Sequence, residues 1–487
     1  MSIHVYRVPD GETLTSNLVV TADNMHVPVH TALVSKVPYN RRWPGHQRTI
    51  DQAEEAYFVS FASDASVTLT VRPEKPFSEV IVRPLSKQVV PSVTDGVISF
   101  TLPSPGGYTL ELDGSHNALH IFFDPPETRQ PSEGNEVIRF ADGIFEIGTM
   151  ELKSNQSVYI AEDAIVYGSF RAENAENIEI LGRGILDNSK NKEEILFEME
   201  TLGDGQTDVR NSVRHHTIDL IHTSHVLIDG ITIRDSLVYN VATHGGYDIT
   251  VDNIKIIGCW RYNSDGIDFH NSVDCVVRNC FVRTFDDAIC VKGHMGYGEL
   301  SGNVLVENCV VWCDWDHTLE IGAEVCAENL QNVTFRNCDL IHNMHTALSI
   351  VNVDYGHVHD ILYADIRVEY DAHTLRPMMQ PNDITPYDEN LAQGEFLPTC
   401  VGFYILMHHE YSEGRNERGK ISNVRIRNLQ ITAPMDIVPP LCFQGYDAEH
   451  GISDVKFEQV TVNGKEVNDF SAFNLRQNEF CTDIAFA

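Results

Sequence analysis

Two adjacent aspartates, Asp286 and Asp287, stand in the segment RTFDDAICVKGH (residues 283–294), where a short apolar run and then Lys292 follow them. Adjacent carboxylates at the edge of a buried strand repel each other and lose hydration, which costs free energy. A function would explain why the chain keeps such a costly pair. Neighbouring carboxyl groups can serve as the acid and the base of one reaction.

Two neighbouring segments carry the same pattern of apolar residues. The three segments are NSDGIDFH, FDDAICVKG and DHTLEIGAE, at residues 263–270, 285–293 and 316–324. When their apolar positions are aligned as strands, Asp265, Asp287 and His317 fall in one column, and neighbouring strands lie about 4.8 Å apart. Asp286 then belongs to the bend before its strand, where two successive side chains can face one cleft.

Three carboxyl groups that lie close together beside a histidine interact, so their pKa values must differ from one another. One can stay protonated near neutral pH while another is ionised. Hydrolysis of a glycosidic bond needs this division, because one group protonates the leaving oxygen and another activates the incoming nucleophile. Inversion at the sugar carbon needs carboxyl groups about 6.5–9.5 Å apart, and we expect carboxylates on adjacent coils to meet that distance.

An internal repeat must position these residues. Eight-residue segments such as VLIDGITI (226–233) and CVVRNCFV (275–282) read apolar-x-apolar-x-polar-apolar-x-apolar, where the polar marker is mostly Asn, Asp or Gly. The markers are Gly182, Gly230, Asn253, Asn279, Asn308, Asn337, Asp365, Asn428 and Gln459. From Gly230 onward their spacings are 23, 26, 29, 29, 28, 63 and 31 residues. This period predicts a solenoid of short parallel strands, and since the leucine-rich consensus is missing we predict a right-handed parallel β-helix.

The repeat also explains the cysteines and one long gap. Cys280, Cys309 and Cys338 directly follow the markers of consecutive coils, which predicts an interior stack of small hydrophobic side chains. The spacing of 63 residues predicts a further coil around TCVGFYILMHHE (399–410). It also contains a polar insertion at 376–396, and long loops on a solenoid usually cover its binding face.

The N-terminal part follows a different pattern. Alternating segments such as EAYFVSFAS and SVTLTVRP are separated by Pro, Gly and Asp turns, which predicts an antiparallel β-sandwich. We therefore expect an all-β chain with a sandwich domain at 1–130 and a β-helix domain at 131–487, joined by a linker at 124–136. The segment YNRRWPGHQR (39–48) either packs between the domains or forms a wall of the cleft.

The composition of the chain excludes some classes of binding partner. The 487 residues contain 35 Lys and Arg against 70 Asp and Glu, a net charge of −35 that repels nucleic acid and anionic lipid. The segment MSIHVYRVPDGETL lacks the features of a signal peptide, no apolar run is long enough to span a membrane, and the 11 cysteines include no CxxC pair. We expect a cytoplasmic protein without metal or cofactor, and its acidic sandwich could mediate a homo-oligomer.

The three aligned segments resemble motifs of a known family. NSDGID, DDAICVKG and HTLEIGAE are similar, in this order, to the three motifs of the polygalacturonase family (glycoside hydrolase family 28), over roughly residues 135–480. The resemblance implies a pectin-lyase-like β-helix, with Asp286 as the general acid, Asp265 and Asp287 holding and deprotonating the water, and His317 tuning the acid. The family's Arg-Ile-Lys motif for the galacturonate carboxylate is replaced near 344–349 by MHTALS.

A second resemblance points to neutral substrates. VVWCDWDHTLEIG (310–322) is similar to the corresponding stretch of the dextranase and isopullulanase family (glycoside hydrolase family 49), whose members join an N-terminal sandwich to the same helix and cleave neutral α-glucans. We expect an inverting hydrolase of an oligo- or polysaccharide that is not a strict polygalacturonase. The alternatives are a dextranase-like hydrolase, a β-helix lyase with Arg283 or Lys292 as base, a glycan transferase, and a non-catalytic binding solenoid.

Several residues near the motifs are candidates for contacts with the sugar. Aromatic faces, imidazoles and polar groups along a groove are the usual partners of a carbohydrate. The candidates are Lys292, Trp260, Arg261, His244, His294, Trp315, Glu320 and His345. Lys292 could instead neutralise the acidic pair, and the others could be solvated or packed groove residues.

Overall fold

The computed structural model describes residues 3–36, 47–191, 216–371, 397–408, 412, 417–435 and 437–487, with the backbone of 200–201 and 207–208. Its secondary structure is β throughout this part of the chain, apart from 3-10 turns at Ile50–Gln52, Leu85–Lys87 and Phe470–Ala472. No helix among these residues is long and apolar enough to cross a membrane. The predicted insertion at 376–396 and residues 39–46 of the segment YNRRWPGHQR lie outside the described residues.

The N-terminal domain has eleven strands. They are β1 (His4–Val5), β2 (Leu18–Ala22), β3 (Met25–Val27), β4 (His30–Ser35), β5 (Ala53–Ala62), β6 (Val67–Pro73), β7 (Val80–Arg83), β8 (Ser92–Thr94), β9 (Val97–Leu102), β10 (Gly106–Leu112) and β11 (Leu119–Asp124). One sheet has the order β1-β5-β11-β10-β7 with β4 also on β5, and the other has the order β3-β2-β6-β9-β8. Val20 and Leu69 of the second sheet share one core with Phe61 and Ile121 of the first.

The strand pairing departs from the prediction at one place. Strands β5 and β11 are parallel, with Tyr57 opposite Leu119, whereas every other pair in these two sheets is antiparallel. A parallel pair needs a long connection between its strands. Here that connection contains β6, β8 and β9 of the second sheet and β7 and β10 of the first, so the prediction of a purely antiparallel sandwich was wrong for this pair.

The remaining strands begin at Glu136, beyond the predicted boundary at residue 130. They are β12 (Glu136–Phe140), β13 (Gly143–Leu152), β14 (Gln156–Ile160), β15 (Ala164–Glu173), β16 (Glu176–Gly182), β17 (Ile185–Asp187), β18 (Glu200–Thr201), β19 (Thr207–Asp208), β20 (Ile218–Ile221), β21 (Ser224–Asp229), β22 (Thr232–Arg234), β23 (Val241–His244), β24 (Tyr247–Asp252), β25 (Lys255–Ile257), β26 (Ile267–His270), β27 (Val273–Arg278), β28 (Phe281–Thr284), β29 (Ile289–Gly293), β30 (Leu300–Glu307), β31 (Val310–Cys313), β32 (His317–Val325), β33 (Asn329–Arg336), β34 (Asp339–Asn343), β35 (Thr346–Asn352), β36 (His357–Glu369), β37 (Thr399–Ile405), β38 (Lys420–Thr432), β39 (Pro440–Gln444), β40 (Ile452–Glu458), β41 (Val460–Val462), β42 (Lys465–Val467), β43 (Asn474–Gln477) and β44 (Cys481–Phe486).

These strands form the predicted right-handed parallel β-helix. All but the β18–β19 pair join one continuous 31-stranded network, in which strands of one coil pair in parallel with the equivalent strands of the next coil, while β42 forms an antiparallel hairpin with β41. One track, β20-β23-β26-β29-β32-β35-β37-β39, carries the aligned motifs, and we call it the site sheet. The predicted coil around 399–410 is its strand β37, which pairs with β35 and β39.

The polar markers form the predicted ladder. All nine have a positive φ, from 52° at Asn253 to 125° at Gly182, which is the backbone conformation that Gly and Asn tolerate best. Asn337 Nδ2 donates to Asn308 Oδ1 over 2.7 Å, and Asn308 Nδ2 donates to Asn279 Oδ1 over 3.4 Å. Cys280, Cys309 and Cys338 are free thiols in the core beside this ladder, as expected.

The sandwich packs on the β-helix through a mixed interface. Phe58 and Phe122 of the sandwich share an apolar cluster with Phe281 and Trp312 of the helix. Buried ion pairs surround this cluster. They join Arg83 to Glu369 and Asp371, Asp124 to Lys255, and Glu12 to Arg234. Ion pairs and apolar contacts together fix the orientation of the site sheet relative to the sandwich.

Candidate active site

The site sheet brings the aligned motifs together in the predicted register. Ile267 pairs with Ile289 and Ile289 pairs with Leu319, so Asp265, Asp287 and His317 lie at equivalent positions of three consecutive coils. Gly266 makes the close approach possible. Its N–H donates to Asp287 O over 2.8 Å, and a Cβ at this position would lie 2.1 Å from the carbonyl oxygen of Ala288.

The three aspartates converge. One carboxylate oxygen from each of Asp265, Asp286 and Asp287 lies within 4.8 Å of the other two. The side chains are nearly buried, since the three residues are 2%, 6% and 7% exposed. This distance joins one oxygen of each carboxyl group and not the groups as a whole, so the separation of about 6.5–9.5 Å that inversion needs stays a prediction.

Lys292 neutralises this acidic group. Its Nζ lies 3.1 Å from Asp265 Oδ2, 3.0 Å from Asp287 Oδ2 and 3.4 Å from Asp268 Oδ1. Burial alone would lower the pKa of Lys292, but Asp265 and Asp287 raise it well above its usual value. Lys292 was a candidate for sugar contact or for neutralisation, and its described contacts are those of a neutralising cation.

Asp286 has a different environment from its neighbour. Its Oδ2 accepts from the N–H of Asn263 over 2.7 Å and its Oδ1 accepts from the N–H of Asp287 over 3.0 Å. Among the described residues no Lys, Arg or His lies within 4.0 Å of this carboxyl group. Burial and the charge of Asp287 raise the pKa of Asp286 well above its usual value, so it holds a proton where Asp287 does not.

The pKa values of Asp265 and Asp287 are shifted in opposite directions. Burial alone would raise the pKa of Asp287, but Lys292 and His317 hold it below its usual value. Burial raises the pKa of Asp265 well above its usual value despite Lys292, because Asp268, Asp286 and Asp287 add negative charge. Asp265 Oδ1 is buried and accepts no hydrogen bond from a described residue. Asp265 therefore binds a proton more tightly than Asp287 does, and Asp287 is the ionised member of the pair.

His317 links Asp287 to the outer part of the site. Its Nδ1 lies 3.0 Å from both Asp287 Oδ1 and Asp316 Oδ1, and its Nε2 lies 3.1 Å from His345 Nδ1. Burial alone would lower the pKa of His317, but the carboxylates of Asp316, Glu320 and Asp287 raise it well above its usual value. The predicted residue His345 is thus in the site, while Asp316 was missed although it directly precedes His317.

Two carboxyl groups form the floor beneath these residues. Glu320 is 0% exposed, lies 3.6 Å from His317 Nδ1 and has a pKa raised to about 8 by burial. Such a side chain cannot touch a sugar, so the prediction of Glu320 as a substrate contact was wrong. Asp268 is likewise 0% exposed, and burial raises its pKa to about 7. The alignment could have identified Asp268, because it occupies the same position after its apolar neighbour as Glu320 does.

A group of aromatic and imidazole rings continues the groove beyond Lys292. His244 stacks on His270 with ring centroids 4.4 Å apart, and His294 lies 4.6 Å from His270. The Tyr239 ring lies 5.5 Å from Lys292 Nζ. The predicted residues His244 and His294 are half-buried along this groove, and the prediction missed Tyr239 and His270.

The tryptophan candidates support the bend that carries Asp286. Trp315 is half-buried and stacks on Phe285 at 5.3 Å. Trp260 is 3% exposed, with the half-buried Arg261 guanidinium 4.1 Å above its ring. A sugar platform needs an open ring face, so the prediction for Trp260 was wrong. Arg48, near the end of YNRRWPGHQR, donates to Trp260 O over 3.2 Å, which is a packing contact.

Comparison with known proteins identifies a similar family and similar folds. The model of Glycosyl hydrolases family 28 matches residues 141–373. Probable exopolygalacturonase B of Aspergillus terreus is 21% identical over 312 residues, which are 58% of this chain and 68% of that protein. These matches confirm the resemblance to the polygalacturonase family that the motifs indicated.

Two solved structures are also similar. Dex49A from Penicillium minioluteum superposes with a TM-score of 0.64 at 14% identity, and the match covers 100% of this chain and 96% of that chain. A hyperthermoactive exopolygalacturonase from Thermotoga maritima matches 69% of this chain and 86% of its own, with 18% identity and a TM-score of 0.43. The first likeness shows that the whole fold is shared. The chain is therefore a glycoside hydrolase with a right-handed parallel β-helix, and it is similar to the family 28 glycosyl hydrolases over residues 141–373.

Proposed function

We propose that this chain hydrolyses the glycosidic bonds of an oligo- or polysaccharide with inversion, using Asp286 as the acid and Asp265 with Asp287 as the water-activating pair. The observation that carries the proposal is the convergence of three buried carboxyl groups within 4.8 Å of one another, of which only Asp265 and Asp287 contact Lys292. Acid and base roles need carboxyl groups with different proton affinities, and these surroundings supply the difference.

The proposed reaction balances within the three carboxyl groups. Asp286 gives its proton to the leaving oxygen as the bond from that oxygen to the sugar carbon breaks. A water oxygen bonds to the same carbon and gives one proton to the Asp265–Asp287 pair, in which Lys292 and His317 keep Asp287 ionised. Transfer of one proton from this pair to Asp286 restores the starting state, with no net uptake or release of protons.

Burial supports direct attack by water rather than by a carboxylate. Asp287 has both oxygens engaged, by His317 and by Lys292, which makes it a poor covalent nucleophile. Asp265 keeps Oδ1 without a hydrogen-bond partner among the described residues, but it is only 2% exposed. A water molecule reaches such an oxygen more easily than a sugar carbon does, and attack by water inverts the anomeric configuration.

The charges around the site favour a neutral sugar. Among the described residues, Lys292 is the only Lys or Arg within 4.0 Å of the site carboxylates, and it already contacts three of them. His345, near the position expected for the family's Arg-Ile-Lys motif, lies against His317 instead. A uronate would need a cation partner of its own, so we propose that the chain is not a strict polygalacturonase and that neutral α-glucans are the first substrates to test.

Neither of the two residues considered as the base of a lyase, Arg283 and Lys292, is placed to accept a proton in the described structure. Arg283 is buried at the domain interface, where it pairs with Asp314 at 3.0 Å and lies 3.8 Å from the Trp312 ring. The pKa of Lys292 is raised rather than lowered, so its amine does not accept a proton at neutral pH. A lyase would still produce an unsaturated, ultraviolet-absorbing product, and a transferase would produce cyclic or transferred glycans.

The proposal is tested by a screen of neutral and acidic oligosaccharides for released reducing ends. We expect release from a neutral glycan, no ultraviolet-absorbing product and no loss of activity with a chelator. Unsaturated products, or binding of a glycan without any new reducing end in the whole panel, would overturn the proposed hydrolase mechanism. The cytoplasmic location and the possible homo-oligomer stay predictions.

A further inference from the structure

A second cluster of side chains that could bind a metal ion lies along the groove, away from the three aspartates. One nitrogen each from His216 and His244 and one oxygen of Asp219 lie within 4.8 Å of one another. His216 directly precedes Thr217, whose N–H pairs with Tyr239 O over 2.9 Å, and Asp219 lies on strand β20. His244 ends strand β23 on the next coil. The cluster therefore belongs to the two coils before that of Asp265.

The register leaves space at this cluster. Asp219 pairs with Ala242 on the next coil, so no large side chain stands directly beside its carboxyl group on that strand. The two imidazole rings are held by stacking, His216 on Tyr239 at 4.7 Å and His244 on His270 at 4.4 Å. Stacked rings on rigid strands are oriented before any ligand arrives, which favours binding.

The carboxyl group of Asp219 points to a cation. Its Oδ2 lies 3.6 Å from Arg171 Nε, while its Oδ1 is buried and accepts no hydrogen bond from a described residue. A buried carboxylate oxygen without a partner costs free energy, and a cation between it and the imidazoles removes that cost.

Three other groups of potential metal-binding side chains already have partners among the described residues. In the acidic group Asp265, Asp286 and Asp287, Lys292 already supplies the cation. A second group consists of Glu111, His342 and Asp371, and Arg83 binds both of its carboxylates. The third group consists of Asp316, His317 and His345. There His317 contacts Asp287 through Nδ1 and His345 through Nε2. Among the described groups, the cluster at His216 is the one that combines two imidazoles with a carboxyl group whose buried oxygen accepts no hydrogen bond from a described residue.

We propose that His216, Asp219 and His244 form a binding site for one divalent transition-metal ion, with zinc as the expected metal. Imidazole and carboxylate are preferred zinc ligands, and three protein ligands suffice for a site that keeps an open position. Ligand atoms on a tetrahedral zinc ion lie about 3.3–3.6 Å from one another, so side-chain atoms within 4.8 Å need to close by up to about 1.5 Å. The ion would tie two coils together beside the groove.

Zinc titration of the metal-stripped full-length protein tests the site. In competition with a chromogenic chelator, we expect one equivalent of zinc to bind, and Asp219→Asn or His244→Ala to weaken binding by at least about tenfold. His225→Ala is the matched control, since His225 pairs with the exposed Asp248 outside the cluster and its loss should leave zinc affinity unchanged. Magnesium should not bind, because imidazole is a poor ligand for it.

Two further measurements keep the proposal falsifiable if a variant folds poorly. Zinc should raise the Tm of the unsubstituted protein, as any ligand that binds only the folded state does. Cobalt bound in place of zinc should give visible absorption bands that report imidazole ligation. The proposal is overturned if the unsubstituted protein binds no zinc, or if binding survives Asp219→Asn and is lost instead in His345→Ala, which would place the ion at the catalytic histidines.

Discussion

Asp286 holds its proton because it is buried and adjacent to an ionised carboxylate, while Lys292 contacts the other two aspartates. Asp286→Asn keeps the shape of the side chain but cannot donate that proton. We expect kcat to fall by about 10²–10⁴, the usual contribution of acid–base catalysis. The measurement is the rate of reducing-end release at saturating substrate.

The matched control for this variant is Asp274→Asn, which changes an exposed aspartate on strand β27 whose carboxyl oxygen accepts from Asn303 over 2.9 Å. An amide oxygen accepts the same hydrogen bond, so we expect unchanged kcat. Near-full activity of Asp286→Asn would show that another group is the acid.

The variant Glu320→Gln tests whether the buried carboxyl group of Glu320 is protonated at pH 7. Burial raises its pKa to about 8, so it is protonated at pH 7 and Glu320→Gln copies that state. We expect kcat at pH 7 within about threefold of the unsubstituted protein, with KM unchanged because the side chain is 0% exposed. As the pH rises through about 8, only the unsubstituted protein gains a negative charge beside His317, so the two pH profiles should diverge there.

The paired variant is Asp287→Asn, which removes a carboxylate that Lys292 and His317 keep ionised. Its kcat should fall by about 10²–10⁴ at every pH. If Glu320→Gln were as damaging as Asp287→Asn at pH 7, Glu320 would have to be ionised there, contrary to this account.

At the scale of the strand, the site depends on how closely the coils approach. A Cβ on Gly266 would lie 2.1 Å from Ala288 O, so Gly266→Ala forces the coils of Asp265 and Asp287 apart. We expect a loss of about 1–3 kcal/mol in the free energy of unfolding, as for other overpacked sites. Denaturant unfolding measures the loss, and kcat should fall as well because the carboxyl groups separate.

Gly143→Ala is the control, since a Cβ there would meet only Phe145 at an ordinary 3.7 Å. Its stability should change by less than about 0.5 kcal/mol, like most surface substitutions. Equal losses in the two variants would mean that the close approach of the coils at Gly266 carries no special cost.

Sequence reasoning found the site sheet because its strands repeat. Apolar residues two apart fix the register, so Ile267, Ile289 and Leu319 could be aligned and Asp265 placed beside Asp287. The same alignment gave no distance, since side-chain rotamers decide how far the carboxyl groups lean toward one another. It also missed Asp316, whose side chain reaches His317 from the preceding bend.

Other features had no local signal. The parallel pairing of Tyr57 with Leu119 joins strands β5 and β11, between which five other strands lie in the chain. The cluster of His216, Asp219 and His244 combines two coils, and His216 lies outside the aligned repeat segments. Long-range contacts of this kind follow from the packing of the coils, which the spacing of polar markers does not encode.

At the scale of the whole molecule, buried ion pairs hold the sandwich on the helix. Arg83 of the sandwich binds Glu111 within its own domain and both Glu369 and Asp371 of the helix. Arg83→Met removes the only cation that contacts all three carboxylates among the described residues. We expect the free energy of unfolding to fall by about 3–5 kcal/mol, the usual cost of an unpaired buried charge.

Denaturant unfolding followed separately in each domain measures this effect. The control is Arg336→Met, which removes an exposed pair with Glu307 and should cost less than about 1 kcal/mol. A loss as small as that of the control in Arg83→Met would show that the apolar cluster around Trp312 alone joins the domains.

The most direct test of the central claim is the anomeric configuration of the first product, followed by NMR during early turnover. The account predicts the inverted anomer, because water activated by Asp265 and Asp287 attacks the sugar carbon while Asp286 protonates the leaving oxygen. The retained anomer as first product would contradict it, since that outcome requires a covalent bond to one of the aspartates.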